Sequence, residues 1–129
     1  MTKLLYVDDN EDNVYMLQMR LELLGDFDVV TAANGEEGCQ VAAAELPDII
    51  LMDLEMPVLN GWESIQRLKS DPGTRNIPII ALSAHALAGE REKAMGAGAD
   101  EFDTKPIEFD RLVATLRRIL ARRKQSLAP

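Results

Sequence analysis

The sequence predicts an α/β fold, a parallel sheet with helices packed on both faces, and three observations lead there. Five short strand signals alternate with five helix signals along the 129 residues, an alternation that implies right-handed crossovers between parallel strands. The central run, Asp48 to Met52, is apolar at nearly every position and too short for a helix, which is the pattern of a strand buried on both faces. It delivers a single carboxylate, Asp53, and then breaks at Met56, Pro57, Asn60 and Gly61. That acid therefore stands at a strand-to-loop edge, where open parallel sheets bind ligands.

The other elements follow in chain order. Lys3 to Val7 is an apolar strand that ends abruptly in Asp8, Asp9, Asn10, Glu11 and Asp12. Val14, Leu17, Leu21 and Leu24 recur at helical spacing, with Gly25 as the stop. Val29 to Ala32 is a second strand, and Asn34 and Gly35 turn the chain into a helix from Glu36 to Glu45, closed by Pro47. After the central strand, Ile65 and Leu68 mark a helix from Trp62 to Lys69, ended by Asp71, Pro72 and Gly73. Ile77 to Leu82 is a fourth strand, with Pro78 near its start and Ser83 at its end. An alanine-rich helix from Ala88 to Ala97 leads to a short last strand, Glu101 to Thr104, followed by Lys105 and Pro106. Phe109, Leu112, Val113, Leu116 and Leu120 define a final amphipathic helix. The expected organisation is one domain over residues 1–122 and a short tail over 123–129, frayed from Gln125 onward.

Composition narrows the function classes. The lone cysteine, Cys39, excludes a disulfide framework and lies among Gly38, Val41 and Ala42 as a small buried thiol. No signal-peptide core and no apolar run approaching membrane length is present, so a cytoplasmic protein is expected. The net charge of −8 argues against general binding of nucleic acid or anionic membrane. That charge is uneven: residues 1–107 carry eight basic against twenty acidic residues, whereas residues 108–129 carry six against two. The basic cluster Arg117, Arg118, Arg122, Arg123 and Lys124 reads either as a solvated helix face favoured by the helix dipole or as a partner-binding face.

In such a sheet the carboxyl ends of strands 1, 3, 4 and 5 converge, and they bring together Asp8, Asp9, Asp53, Ser83 and Lys105. Each of these residues alone has an ordinary structural reading; Asp8 to Asp12, for instance, suit a helix N-terminus. Their joint occurrence at successive strand ends is what points to chemistry. Three carboxylates a few ångströms apart repel one another unless a cation compensates. Oxygen-only ligands indicate Mg²⁺, with Mn²⁺ and Ca²⁺ as less specific substitutes, and one His with one Cys makes zinc a poor fit. A metal held by Asp9 and Asp53 would draw in a phosphoryl group, with Lys105 and Ser83 directed at its oxygens and Asp53 as nucleophile.

With these residues assembled, the chain resembles the receiver domain of two-component response regulators from about Lys3 to Leu120. The motifs are VDDN at Val7 to Asn10, LMDLEMPVLNG at Leu51 to Gly61, ALSA at Ala81 to Ala84 and TKP at Thr104 to Pro106. The resemblance implies a flavodoxin-like, doubly wound five-stranded sheet in the order 2-1-3-4-5. It also implies Asp53 as phosphoacceptor, Asp8, Asp9, Asp53 and the Glu55 backbone carbonyl as Mg²⁺ ligands, and Ser83 and Lys105 as phosphoryl contacts. Ser83 and Phe102 would form the switch, and the bond before Pro106 is a candidate cis peptide. Glu55 and His85 occupy the family's variable positions beside the site; each reads as a solvated loop side chain, or as a group that tethers a neighbour or handles attacking water.

The resemblance implies a histidine kinase or histidine phosphotransferase as phosphodonor, a downstream protein target, and a homodimer as one use of the face made by helix 4, strand 5 and helix 5. No output domain follows Leu120 in this sequence, so signalling is expected to pass through protein contacts. An intermediate phosphorelay carrier, or a phosphate sink beside a hybrid kinase, is the alternative. A flavin or nucleotide binder would need glycines and hydroxyls in the first strand-to-helix loop, where this chain has acids. A stand-alone phosphatase would need a substrate-closing cap that this length hardly accommodates.

Overall fold

The computed structural model describes residues 1–56, 60–85 and 89–127, with side chains through residue 124. Its elements are β1 (Thr2–Val7), α1 (Glu11–Leu23), β2 (Phe27–Ala32), α2 (Gly35–Glu45), β3 (Ile49–Asp53), α3 (Gly61–Ser70), β4 (Ile79–Ser83), α4 (Glu90–Ala97), β5 (Glu101–Thr104) and α5 (Phe109–Leu127). All pairings are parallel and the order is β2-β1-β3-β4-β5. The expected doubly wound architecture is thus the one observed.

Alternation along the strands divides the core into two layers, because successive side chains leave a strand on opposite faces. Leu5, Val7, Ile50, Met52, Ile79 and Ala81 pack under Ala42 of α2, Ile65 and Leu68 of α3, and Ala94 of α4. Leu4, Tyr6, Ile49, Leu51, Ile80 and Leu82 pack under Leu17 and Leu21 of α1 and Leu112, Leu116 and Ile119 of α5. Every residue of β3 is buried, which explains its continuous apolar run. Cys39 is buried in the first layer, and burial raises its thiol pKa.

Three helix starts share one device. Asn10, Asn34 and Asn60 each accept a hydrogen bond from the backbone N–H three residues on, satisfying one of the donors left free at a helix N-terminus. The cap of α1 is therefore Asn10 and not one of the neighbouring aspartates.

β2 begins two residues before the expected Val29, at Phe27, and two further differences have plain causes. β4 begins at Ile79 instead of Ile77, because Pro78 has no N–H for the ladder, and the Ile79 N–H is taken by the Asp100 carboxylate. α5 runs through the expected fray point to Leu127, since nothing between Phe109 and Leu127 breaks a helix. Within α1, Leu24 is the exposed C-cap and lies outside the buried stripe of Leu17 and Leu21. The expected break at Pro57 and the expected helix start at Ala88 lie outside the described residues.

Candidate functional site

The parallel register brings four strand ends to one edge. Val7 of β1 lies beside Met52 of β3, Asp53 beside Leu82 of β4, and Ser83 beside Thr104 of β5. The residues that follow or end these strands meet in space. Asp8 and Asp53 are buried, Asp9 is exposed, and one carboxylate oxygen from each lies within 4.8 Å of the others. Lys105 enters from the far side. Its Nζ is 3.2 Å from Asp8 Oδ2 and 3.2 Å from Asp53 Oδ1, and its backbone N–H donates to the Ser83 carbonyl. The Lys105–Pro106 peptide bond is cis.

Asp8 is the best-held of the acids. The Tyr6 hydroxyl donates to its Oδ2 at 2.6 Å and the Asn10 N–H to its Oδ1 at 2.9 Å. Burial pushes its pKa up, but the Tyr6 hydroxyl, the Asn10 amide and Lys105 outweigh burial and hold the carboxyl below its ordinary value. The same contact and burial raise the Tyr6 hydroxyl, burial being the larger cause. Asp53 goes the other way. Burial first, with Asp8 adding, pushes it up to about 7, against the pull of Lys105 and the Glu55 N–H. Lys105 itself is raised: burial opposes its charge, but Asp53 and Asp8 more than offset that.

These oxygens suit a hard divalent ion, and Lys105 balances only part of their charge. A groove of about 460 Å³ opens next to Lys105 between α1 and the β5–α5 turn, lined in part by Asn13, Met16, Arg20 and Ile107. The start of α3 lies tight against the end of β3: a side chain on Gly61 would sit 2.6 Å from the Leu54 Cα, so glycine is required by close approach of backbone.

Ser83 is fully buried, and its surroundings correct one expectation. Glu55 is not a solvated side chain. Its Oε1 accepts from the Ser83 hydroxyl at 2.8 Å and from the Ala84 N–H at 3.0 Å, while its own N–H donates to Asp53 Oδ1. His85 is exposed at the rim, its Nε2 3.8 Å from the same Glu55 oxygen, beyond hydrogen-bond reach. Phe102 lies half-buried on β5 beside Ala81 and packs against the α2–α3–α4 layer, away from the carboxylates.

Two participants escaped sequence reasoning. Tyr6 occupies an apolar position of β1, and only a search for hydroxyls two residues before an acid on the same strand face would have raised it. The Ala84 N–H is a backbone donor and leaves no side-chain signal. Among the described residues no helix is long and apolar enough to cross a membrane.

The chain is similar to known proteins in sequence and fold. A profile of the response regulator receiver domain matches residues 4–117. The response regulator PleD of Caulobacter vibrioides is 40% identical over 115 residues, 89% of this chain and 25% of PleD. The polar-differentiation response regulator DivK of Brucella anthropi is 34% identical over 114 residues, 88% of this chain and 92% of DivK. The chain thus spans a quarter of one of these relatives and nearly all of the other. Among solved structures, the receiver domain of sensor histidine kinase PA1611 from Pseudomonas aeruginosa PAO1, with magnesium in its active-site cleft, superposes with a TM-score of 0.79 at 36% identity, covering 94% of this chain and 95% of that one. With the profile matched over most of its length and the sheet order of the fold in place, this chain belongs to the receiver domain family of response regulators, the phosphoacceptor modules of two-component signalling.

Proposed function

We propose that this chain is a response regulator that accepts a phosphoryl group on Asp53 from a phosphohistidine of a kinase or phosphotransferase and signals through protein contacts. The observation that carries the reading is the placement of the buried Asp53 carboxylate 3.2 Å from Lys105 and within one cluster with Asp8 and Asp9. In the transfer, an Asp53 oxygen forms a bond to phosphorus as the donor's P–N bond breaks, and the electron pair leaves with the imidazole nitrogen. Lys105 offsets charge on the phosphoryl oxygens, and the Ser83 hydroxyl with the Ala84 N–H offers two donors to them. Asp8, Asp9, Asp53 and the Glu55 backbone carbonyl would hold a Mg²⁺ ion, which neutralises the repulsion between these acids and an incoming phosphate.

Ser83 is the first link of the proposed switch. Its movement toward a phosphoryl oxygen draws the loop after β4 inward, and Phe102, one strand over, turns into the vacated space. The remodelled face of α4, β5 and α5 meets the target or a second copy of the chain. The likeness to a receiver carried by a sensor kinase supports a second role, as an intermediate carrier in a phosphorelay.

Intact mass after incubation with phosphoramidate tests the assignment. The wild-type chain gains one phosphoryl group with Mg²⁺ and none in EDTA, and Asp53→Asn gains none. Uptake by Asp53→Asn, or equal uptake in EDTA, overturns the reading.

A further inference from the structure

The Glu55 carboxylate holds the two donors that the proposed function directs at a phosphoryl oxygen. The Ser83 hydroxyl and the Ala84 N–H converge on one point, and a hydroxyl paired with a backbone amide is a small oxyanion subsite; the Ser83 hydroxyl also accepts from the His85 N–H at 3.0 Å and has the His85 carbonyl at 3.1 Å as a second, longer acceptor. In this structure the point is filled by Glu55 Oε1, at 2.8 and 3.0 Å from the two donors. The contact is short-ranged by construction, because the Glu55 amide is itself anchored on Asp53 Oδ1 at 3.1 Å. One residue therefore touches the acceptor carboxylate through its backbone and covers the oxyanion donors through its side chain. The other Glu55 oxygen, Oε2, is shielded from solvent and has no hydrogen-bond partner among the described residues, so among these the carboxylate is held through Oε1.

We propose that Glu55 is a built-in occupant of the oxyanion subsite formed by Ser83 and Ala84, and that a phosphoryl oxygen enters only by displacing it. The proposal rests on the phosphoacceptor reading above and adds a non-covalent exchange before the transfer: two hydrogen bonds to a carboxylate are given up for two to a phosphoryl oxygen. The exchange sets a threshold. A small phosphodonor brings no protein–protein contacts to offset it, whereas a protein donor does. Glu55 thus biases the site against small phosphate donors and makes the occupied and vacated subsites two distinct states of the Ser83–Ala84 donor pair.

The test is a double-mutant cycle at saturating Mg²⁺ with beryllofluoride as phosphoryl mimic, followed by amide resonances, and with phosphoramidate as donor, followed by intact mass. Glu55→Ala binds the mimic about tenfold more tightly than wild type and is phosphorylated faster by a similar factor. In the Ser83→Ala background, where half of the shared donor pair is gone, that gain shrinks to about threefold or less. Glu55→Gln, which keeps an acceptor oxygen without the charge, falls between wild type and Glu55→Ala. No tighter binding in Glu55→Ala, or a gain undiminished by Ser83→Ala, overturns the proposal and leaves Glu55 a remote charge. Failure of the underlying reading looks different: Asp53→Asn would then take up phosphate in either background.

Discussion

The two ends of the sheet use the same residue types to opposite effect. Around the amino ends of the strands acids are paired with bases: Glu45 with Lys3, Asp26 with Arg117, Asp48 with Arg123, and Asp100 with Lys69. At the carboxyl ends Asp8, Asp9 and Asp53 crowd around the single ammonium of Lys105, with Glu55 turned onto Ser83. In each matched pair the acid is close to half exposed, so solvent screens the attraction and hydration offsets much of it. The mismatched group is largely buried, where neither solvent nor a partner relieves it fully, and the uncompensated charge is available for an ion and a phosphoryl group.

Removing the Lys105 charge from the crowded end should have the largest effect on stability. Lys105→Met keeps the stem that fills the space and deletes the charge between Asp8 and Asp53. Lys105 is 19% exposed in its side chain, so the loss in metal-free protein at pH 8 should be about 3 kcal/mol by urea unfolding. At pH 5 it should shrink to about 1 kcal/mol, because Asp53, whose pKa is already raised to about 7, is then neutral. A loss that is small at pH 8, or the same at both pH values, would place this lysine with the solvated pairs of the other end.

Much of this contrast was legible in the sequence. The carboxyl ends could be read because Asp8, Asp53 and Ser83 each interrupt an apolar run at its end and Lys105 follows a short strand pattern, and parallel topology brings such positions together. What stayed hidden depends on direction. Tyr6 sits at an apolar position whose hydroxyl matters only once the strand face is known, and Glu55 reaches a partner 28 residues away across a strand boundary. At the amino ends the sequence shows acids and bases but not their pairing. Arg117 and Asp26 are 91 residues apart, so the basic cluster of α5 read as a run until the fold divided Arg117, Arg118 and Arg123 among Asp26, Glu101 and Asp48.

The pH response separates the two ends more finely. Asp53 has its folded pKa raised from 3.8 to about 7, so between these values the folded state binds more protons than the unfolded state. Stability from this group is complete below about pH 4 and is lost as pH rises through 7. Asp8 is lowered instead, and its contribution disappears only on acidification below its ordinary range. Metal-free wild type should therefore lose on the order of 2 kcal/mol between pH 5 and pH 8, and Asp53→Asn should flatten that slope. Apparent Mg²⁺ affinity should tighten over the same interval, since the ion requires the ionised carboxylate. A wild-type slope unchanged in Asp53→Asn would assign the titration to another group.

The smallest effect belongs to the matched end. Arg117 and Asp26 form a 2.6 Å ion pair with both side chains about half exposed, and the Arg117 guanidinium also lies 5.6 Å from the centre of the buried Phe27 ring. Charge and packing can be separated here. Arg117→Met removes the ion pair and keeps an apolar stem near the ring, and its melting temperature should match wild type within measurement scatter at moderate salt. Arg117→Ala removes both, and any decrease it shows beyond Arg117→Met is then owed to the uncovered edge of Phe27. Both variants should leave the Mg²⁺ response unchanged, because the pair lies at the far end of the sheet from Asp53. If Arg117→Met alone lowers the melting temperature clearly, or weakens Mg²⁺ binding, charges at the amino ends contribute more than solvated pairs should, and the division of labour between the two ends fails.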